Sequence, residues 1–489
     1  MTSQKKGFSS AFHGVEVGRV VCSLLALSAL VYVISSLFIS AFLEPWQHSS
    51  FPMLGSLRMF PPFADLRWVT ALSECGHDLA AIAAGKDPGC DPYGRQGGLG
   101  YPAFSVYSAR ALGIGLRQTG MVAFGFGLTL VLLLVAQMRF LFRPGWIRDL
   151  LLSLLLLGFP LQLGLERANF DLVIYVFLTS LCALLALSGR WILPFVGLFS
   201  FLPVACKVYP VVGLWAWVAQ DWLHWHRVRP KALVVLVGAS LGMLSALSWL
   251  MRYGGKAPDP GEGILAHGFM TSTLFQFSLL LSHHWANWPA PFNAVFLVSI
   301  KIAAITASFL VAFNHGFSGL WREFLASRCQ SYVKNFLEIY IALMTSTWLA
   351  CYFFSSSFDY RLIFSFPALI ACVALITSPL GVGKSLGFLF KLFILALPLL
   401  LLPSLLLTFQ TARSFVVPVD VVDALVLIAD YLAMPIVVGV LLALIFPSQW
   451  AGATVFPGDS GPQPLAALPN PLISPSLDGE PLGPQRRIS

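Results

Sequence analysis

The chain has 489 residues, 57% of them hydrophobic and 11% charged, and its mean hydropathy is +0.79. A soluble core of this size cannot hide so much apolar surface, so lipid is the expected solvent and large soluble domains are excluded. The net charge of +8 comes from basic residues spread over short loops, a pattern that orients membrane proteins and excludes a nucleic-acid partner.

A helix needs about 20 apolar residues to cross ~30 Å of hydrocarbon. The first such run, 20–43, is too long for a signal-peptide core and lacks a small-residue cleavage site, so it reads as an anchor. Further spans read at 119–141, 147–164, 170–188, 232–251, 291–313, 336–354, 361–379, 386–409 and 421–446. The stretch from Trp191 to Ala219 is too long for one span, carries Pro194, Pro203 and Pro210, and has Lys207 at its centre. Charge decides how to divide it. Lys5, Lys6 and Arg19 place the amino terminus inside, and the basic loop around Arg227, Arg229 and Lys231 falls inside only if 191–220 is a short hairpin with Lys207 at its outer tip.

The fold class expected is therefore an all-α polytopic transmembrane bundle of about 12 spans, with both termini cytoplasmic. Residues 1–446 form the membrane domain, and 447–489, rich in Pro, Gly and Ser, read as a disordered cytoplasmic tail. The long outer loop 44–118 holds an amphipathic, helix-compatible stretch from Asp65 to Ala84. Of eight cysteines, Cys75 and Cys90 share this loop, where an oxidising compartment would allow a disulfide. The other six sit in or beside apolar runs as small hydrophobes.

This topology gathers polar clusters at the outer boundary: Asp65 and Arg67; Asp91 to Arg95; Glu166 to Asp171; Lys207 to Pro210; His283 and His284; Asp359 to Arg361. Charge at a helix end near lipid is costly unless paired or used. Each cluster has a bland reading: Arg167 with Asp171 at i, i+4, Asp65 with Arg67, or Asp359 with Arg361 as simple local pairs. Their shared sidedness favours a site. Carboxylates beside cations suit transfer from a phosphate-linked lipid donor, with a carboxylate deprotonating an acceptor hydroxyl and cations steadying the departing phosphate. Zinc-ligand spacing, a Walker loop and a Cys-x-x-Cys pair are missing from the sequence, so no metal or cofactor is expected. Lys301, central in its span, calls for an internal partner.

Asp65-Leu66-Arg67-Trp68, the turn from Gly85 to Tyr93, Tyr101-Pro102, Glu166-Arg167-Ala168-Asn169, Lys207-Val208-Tyr209-Pro210 and Asp359-Tyr360-Arg361 follow one another in this order. That order resembles the glycosyltransferase-C superfamily, in particular its branch of polyprenyl-phosphate-mannose-dependent mannosyltransferases. The resemblance covers most of the membrane region, and the Glu-Arg-Ala-Asn turn departs from the glutamine-bearing form of that branch. It implies an inverting glycosyltransferase of a bacterial inner membrane, moving a mannose-like sugar from a polyprenyl-phosphate donor to a lipid or glycan acceptor. Asp65 would be the general base, and Lys207, Arg167 and Arg361 would hold the donor phosphate. Tyr93, Arg95 and Glu166 would line the acceptor side, with Asn169, Tyr209, His284, Asp359 and Tyr360 as further substrate contacts. A transporter or flippase of lipid-linked saccharide, which would place polar groups near the midplane, and a polymerase or ligase of such saccharides are the alternative readings.

Overall fold

In this computed structural model the first helix, α1, spans Gln4–Phe38 and runs on as a π turn over Ile39–Leu43. Ala26, Ala29, Val33 and Leu37 are buried on one side of it, while Val20, Leu24, Leu27 and Val31 stand exposed on the other. A helix that is apolar on both faces needs lipid against the outer one. Leu233, Val237, Leu241 and Leu244 repeat the pattern further along the chain.

The structure describes residues 4–43, 63–75, 103–225, 228–253, 290–314, 316–354, 359–378, 391 and 433–445. These lie in one compact unit, Met1–Gln449, and the expected tail 447–489 lies outside the described residues. After α1 come α2 (Ala64–Glu74), α3 (Ala103–Ala111), α4 (Thr119–Leu141), α5 (Trp146–Leu157), α6 (Phe159–Arg167), α7 (Phe170–Ala186), α8 (Leu193–Cys206) and α9 (Pro210–Trp225). Then follow α10 (Pro230–Tyr253), α11 (Ala290–Asn314), α12 (Phe317–Arg328), α13 (Ser331–Phe354), a 3-10 turn over Asp359–Ser365, α14 (Phe366–Ile376) and α15 (Met434–Ile445). Among the described residues the fold is all-α.

Among the described residues, four segments are long and apolar enough to cross a membrane: Gly18–Phe42, Leu116–Leu141, Pro230–Ser248 and Ser331–Phe353. The number rises to six if two bent pairs, α5 with α6 and α11 with α12, each count as one crossing. The protein is thus membrane-embedded. The span read at 147–164 is bent by 43°, because Gly158 takes an extended backbone and Pro160 sits in the first turn of α6. The span read at 386–409 lies outside the described residues, apart from residue 391.

Close helix contacts rest on glycine. A Cβ on Gly238 would fall 2.6 Å from the Gly197 carbonyl oxygen, and one on Gly242 would fall 2.7 Å from that of Phe201, so α8 and α10 touch backbone to backbone. Gly242→Leu is expected to force these helices apart and cost roughly 1–3 kcal/mol. Thermal melting in detergent measures it, and an unshifted midpoint would contradict the contact.

The described part of the long loop is docked. Phe63, in the left-handed region at φ 63°, is fully buried, and its N–H donates to the Glu166 carbonyl at 2.6 Å. That bond offsets the roughly 1–2 kcal/mol a non-glycine residue pays there. The Thr70 and Thr119 hydroxyls meet at 2.7 Å, tying α2 to the start of α4. Arg110 donates to the Ser73 carbonyl at 3.1 Å and the Cys75 carbonyl at 2.6 Å, setting a cation at the negative end of α2. Of the stretch read as helix-compatible from Asp65 to Ala84, α2 covers the part up to Glu74, where Cys75 turns extended at φ −67° and ψ 121°, and 76–84 lie outside the described residues. Cys75 is disulfide-bonded, while Cys22, Cys182, Cys206, Cys329, Cys351 and Cys372 are free. Cys90 lies outside the described residues.

Candidate active site

Four breaks in helical structure meet at one place. They are the entry to α2, the joint between α6 and α7, the joint between α8 and α9, and the 3-10 turn before α14. Each break has a local cause. Ala168 takes a left-handed φ of 41° and ends α6; Asn169 then caps α7, its side-chain oxygen accepting the Asp171 N–H at 3.0 Å. Lys207 is extended at φ −153° and ψ 140°, and Pro210 disfavours helix at the residue before it, so 207–209 separates α8 from α9.

Asp65, in the first turn of α2, receives Arg167 Nη2 on Oδ1 at 2.9 Å and Asn169 Nδ2 on Oδ2 at 2.7 Å. Asn169 links this pair to a second group, because its Oδ1 also accepts Lys207 Nζ at 3.0 Å. Lys207 Nζ lies 2.5 Å from Asp171 Oδ1, which also accepts the Tyr209 hydroxyl at 2.8 Å. Arg361 Nε faces Asp171 Oδ2 at 3.5 Å, and its guanidinium lies 5.2 Å from the centre of the Tyr209 ring. A continuous polar chain thus runs Arg167, Asp65, Asn169, Lys207, Asp171, Tyr209 and Arg361.

Burial divides the chain into two layers. The Asp171 side chain is 1% exposed and is faced by two cations and a hydroxyl, with both hydrogen bonds on Oδ1 and Arg361 as an ion pair across from Oδ2. Asp65 is 12% exposed and Arg167 23%, so that pair stands at the rim. Burial presses the Lys207 ammonium below the usual lysine range, and the Asp171 carboxylate beside it opposes that shift. Glu166 has gone inward: it is 1% exposed, and its Oε2 meets no hydrogen-bond donor among the described residues. Its backbone carbonyl, by contrast, holds the entry to α2.

The structure thus brings together Asp65, Arg167, Asn169, Lys207, Tyr209 and Arg361, with Glu166 buried beside them. The simple pair of Arg167 with Asp171 does not form. The i, i+4 spacing would need one continuous helix, and the chain breaks at Ala168. Arg67 shares a helix with Asp65, but Asp65 is bonded to Arg167 and Asn169 instead. Tyr93, Arg95 and His284 lie outside the described residues, as do the side chains of Asp359 and Tyr360.

The residue that sequence reasoning undervalued is Asp171, the hub of the deep layer. A signal was present, because Asn169 two residues before an acidic first turn is the pattern of a new helix start. Read that way, Asp171 faces away from Arg167 and is free for a distant cation. Among the described residues no three His, Cys, Asp or Glu side chains gather as metal ligands would.

The arrangement can accept a proton at the rim and hold negative charge just beneath it. Each Asp65 oxygen receives one donor and keeps lone-pair capacity for a hydroxyl. Comparison of the chain with protein-family models, with curated proteins and with solved structures finds no match to any of the three, so the site is read from its own geometry.

Proposed function

We propose that the chain is a membrane glycosyltransferase that moves a mannose-like sugar from a polyprenyl-phosphate donor to a hydroxyl of a lipid or glycan acceptor. The observation that supports it most is the layered cluster: a rim carboxylate, Asp65, beside three cations, Arg167, Lys207 and Arg361, gathered from four separate chain segments. In this reading Asp65 takes the proton of the acceptor hydroxyl, and the acceptor oxygen attacks the anomeric carbon. The bond from that carbon to the phosphate oxygen breaks on the opposite face, which inverts the centre. The phosphate leaves with the electron pair, and the arginines and Lys207 steady its charge. The polyprenyl chain stays in lipid between helices.

The topology proposed with it has about 12 crossings, both termini in the cytoplasm and the cluster at the outer boundary of a bacterial inner membrane. Arg139, Arg143 and Arg148 then mark the inner end of α4 and α5. Transport of a lipid-linked saccharide is the second reading, and buried Lys301 within α11, 1% exposed, is the observation that favours it.

Purified protein in lipid, given radiolabelled polyprenyl-phosphate sugars and candidate acceptors, separates the two. Label moving to an acceptor is the expected outcome. Label that crosses the bilayer while remaining on the donor would replace transfer with transport.

A further inference from the structure

At the far end of α4 from the Thr70 and Thr119 contact lies a second polar feature, independent of the transfer reading. Helix α4 has 23 residues, about 34 Å at ~1.5 Å per residue, close to the thickness of the hydrocarbon layer. The two ends therefore stand at opposite membrane boundaries. At this end a half-open cavity of about 250 Å³ is lined by Arg19, Arg143, Arg148 and Arg328, together with the start of α5 at Gly145, Trp146 and Ile147.

Asp149, the acidic neighbour at this end, is committed elsewhere. It is buried, accepts Arg148 Nε at 2.8 Å on Oδ1, and accepts the Ser23 hydroxyl at 2.6 Å on Oδ2. It thereby orients Arg148 and fastens α1 to α5. Arg19, Arg143 and Arg328 have no ion pair with a carboxylate among the described residues, and Arg143 stands close enough to Arg328 to repel it. Arg328 is fixed by its bond to the Leu141 carbonyl at 3.2 Å and by the Phe324 ring, 4.9 Å from its guanidinium carbon. The first turn of α5 adds backbone N–H groups with no side-chain cap on Gly145. Like charges held together in this way are stabilised by an anion, and a guanidinium fork matches a phosphate.

We propose that this cavity binds the phosphate headgroup of an anionic phospholipid from the membrane leaflet opposite the Asp65 cluster. Two features favour a lipid over a free anion. The volume is below the ~300–1,000 Å³ of pockets that enclose a whole small ligand, so it suits a headgroup whose remainder lies outside. Beside the cavity, Trp146, Leu150 and Leu154 stand exposed at successive i, i+4 positions of α5, an apolar track on which acyl chains can lie.

The test uses the full chain in a neutral detergent, titrated separately with phosphatidylglycerol, phosphatidylcholine and inorganic phosphate, and read by native mass spectrometry and thermal melting. Phosphatidylglycerol is expected to remain bound and raise the melting temperature, with phosphatidylcholine and inorganic phosphate doing neither. Arg143→Gln with Arg328→Gln should weaken phosphatidylglycerol retention roughly 10- to 30-fold, as two lost surface charges imply. Should that pair fold poorly, Arg19→Gln with Arg143→Gln removes two exposed charges instead, with the same expected loss. Equal retention of the two lipids, or variants that hold phosphatidylglycerol as the native protein does, would overturn the proposal. Inorganic phosphate matching phosphatidylglycerol would assign the cavity to a soluble anion and overturn the lipid assignment.

Discussion

Asp65→Asn is expected to lower sugar transfer roughly 100- to 10,000-fold, the range a positioned general base supplies. Asparagine keeps the shape and can still accept Arg167 on its oxygen, so the helix joint should survive. Its amide nitrogen would face the Asn169 amide, which now donates to Oδ2 at 2.7 Å, and the lost charge-assisted bonds should cost about 1–3 kcal/mol. Transfer and melting temperature measured on the same preparation separate the two effects. A variant that melts near the native temperature and transfers at the native rate would remove Asp65 from the chemistry. A variant that fails to transfer only because it is unfolded would show the melting loss first.

Asp171→Ala is expected to be the costliest substitution for stability, at about 3–5 kcal/mol. It deletes the carboxylate that neutralises Lys207 and Arg361 and leaves two cations facing each other with little water. Because the penalty is the stranded charge, adding Lys207→Met should recover part of the loss, as apolar replacements of buried pairs often do. Unfolding followed in detergent for the single and double variants checks the sign. A single variant within about 1 kcal/mol of native would mean that the cations find other partners. The double variant should still lack transfer, since Lys207 belongs to the proposed phosphate site.

Much of the helical order was legible because apolar length and turn residues act locally. Residues 119–141 read as a span and form α4 with the same bounds, and the run at 170–188 forms α7 over Phe170–Ala186. Lys207 and its flanking prolines correctly announced a break. The bend at Gly158 was legible too, since a glycine two residues before a proline is a stop and restart signal, but a hydropathy window averages across it. What the sequence could not supply is long-range pairing. Arg167 reaches Asp65 across 102 positions and Lys207 reaches Asp171 across 36. Local spacing instead suggested Arg167 with Asp171, a contact that one left-handed alanine removes. Glu166 was similarly ambiguous, because burial depends on how α2 settles on the joint. Its neighbour Arg167 turns outward to the rim, while Glu166 turns in.

The cavity of arginines shows the same limit from the other end of the bundle. Arg143 and Arg148 read as ordinary inner-loop charges, and only the packing of α1, α5 and α12 around them makes a concave site. A positively charged pocket there and a mixed-charge cluster at the other boundary would bind phosphate in different ways. In the proposed reaction the donor phosphate sits next to a carboxylate base, and Asp65, at 12% exposure on the rim of its cluster, is the carboxylate given that role. Asp149 beside the arginine cavity, by contrast, is buried and held by Arg148 and Ser23.

Where a donor binds can be measured directly. A polyprenyl-phosphate sugar carrying a photoreactive diazirine on the sugar ring, cross-linked to the protein in lipid and mapped by mass spectrometry, is predicted to label α2 near Asp65, the 167–169 joint or the 207–209 joint. Excess unlabelled donor should suppress that labelling. Labelling confined to the arginine cavity at the other end of α4, or no labelling above that of a neutral lipid carrying the same group, would contradict the account.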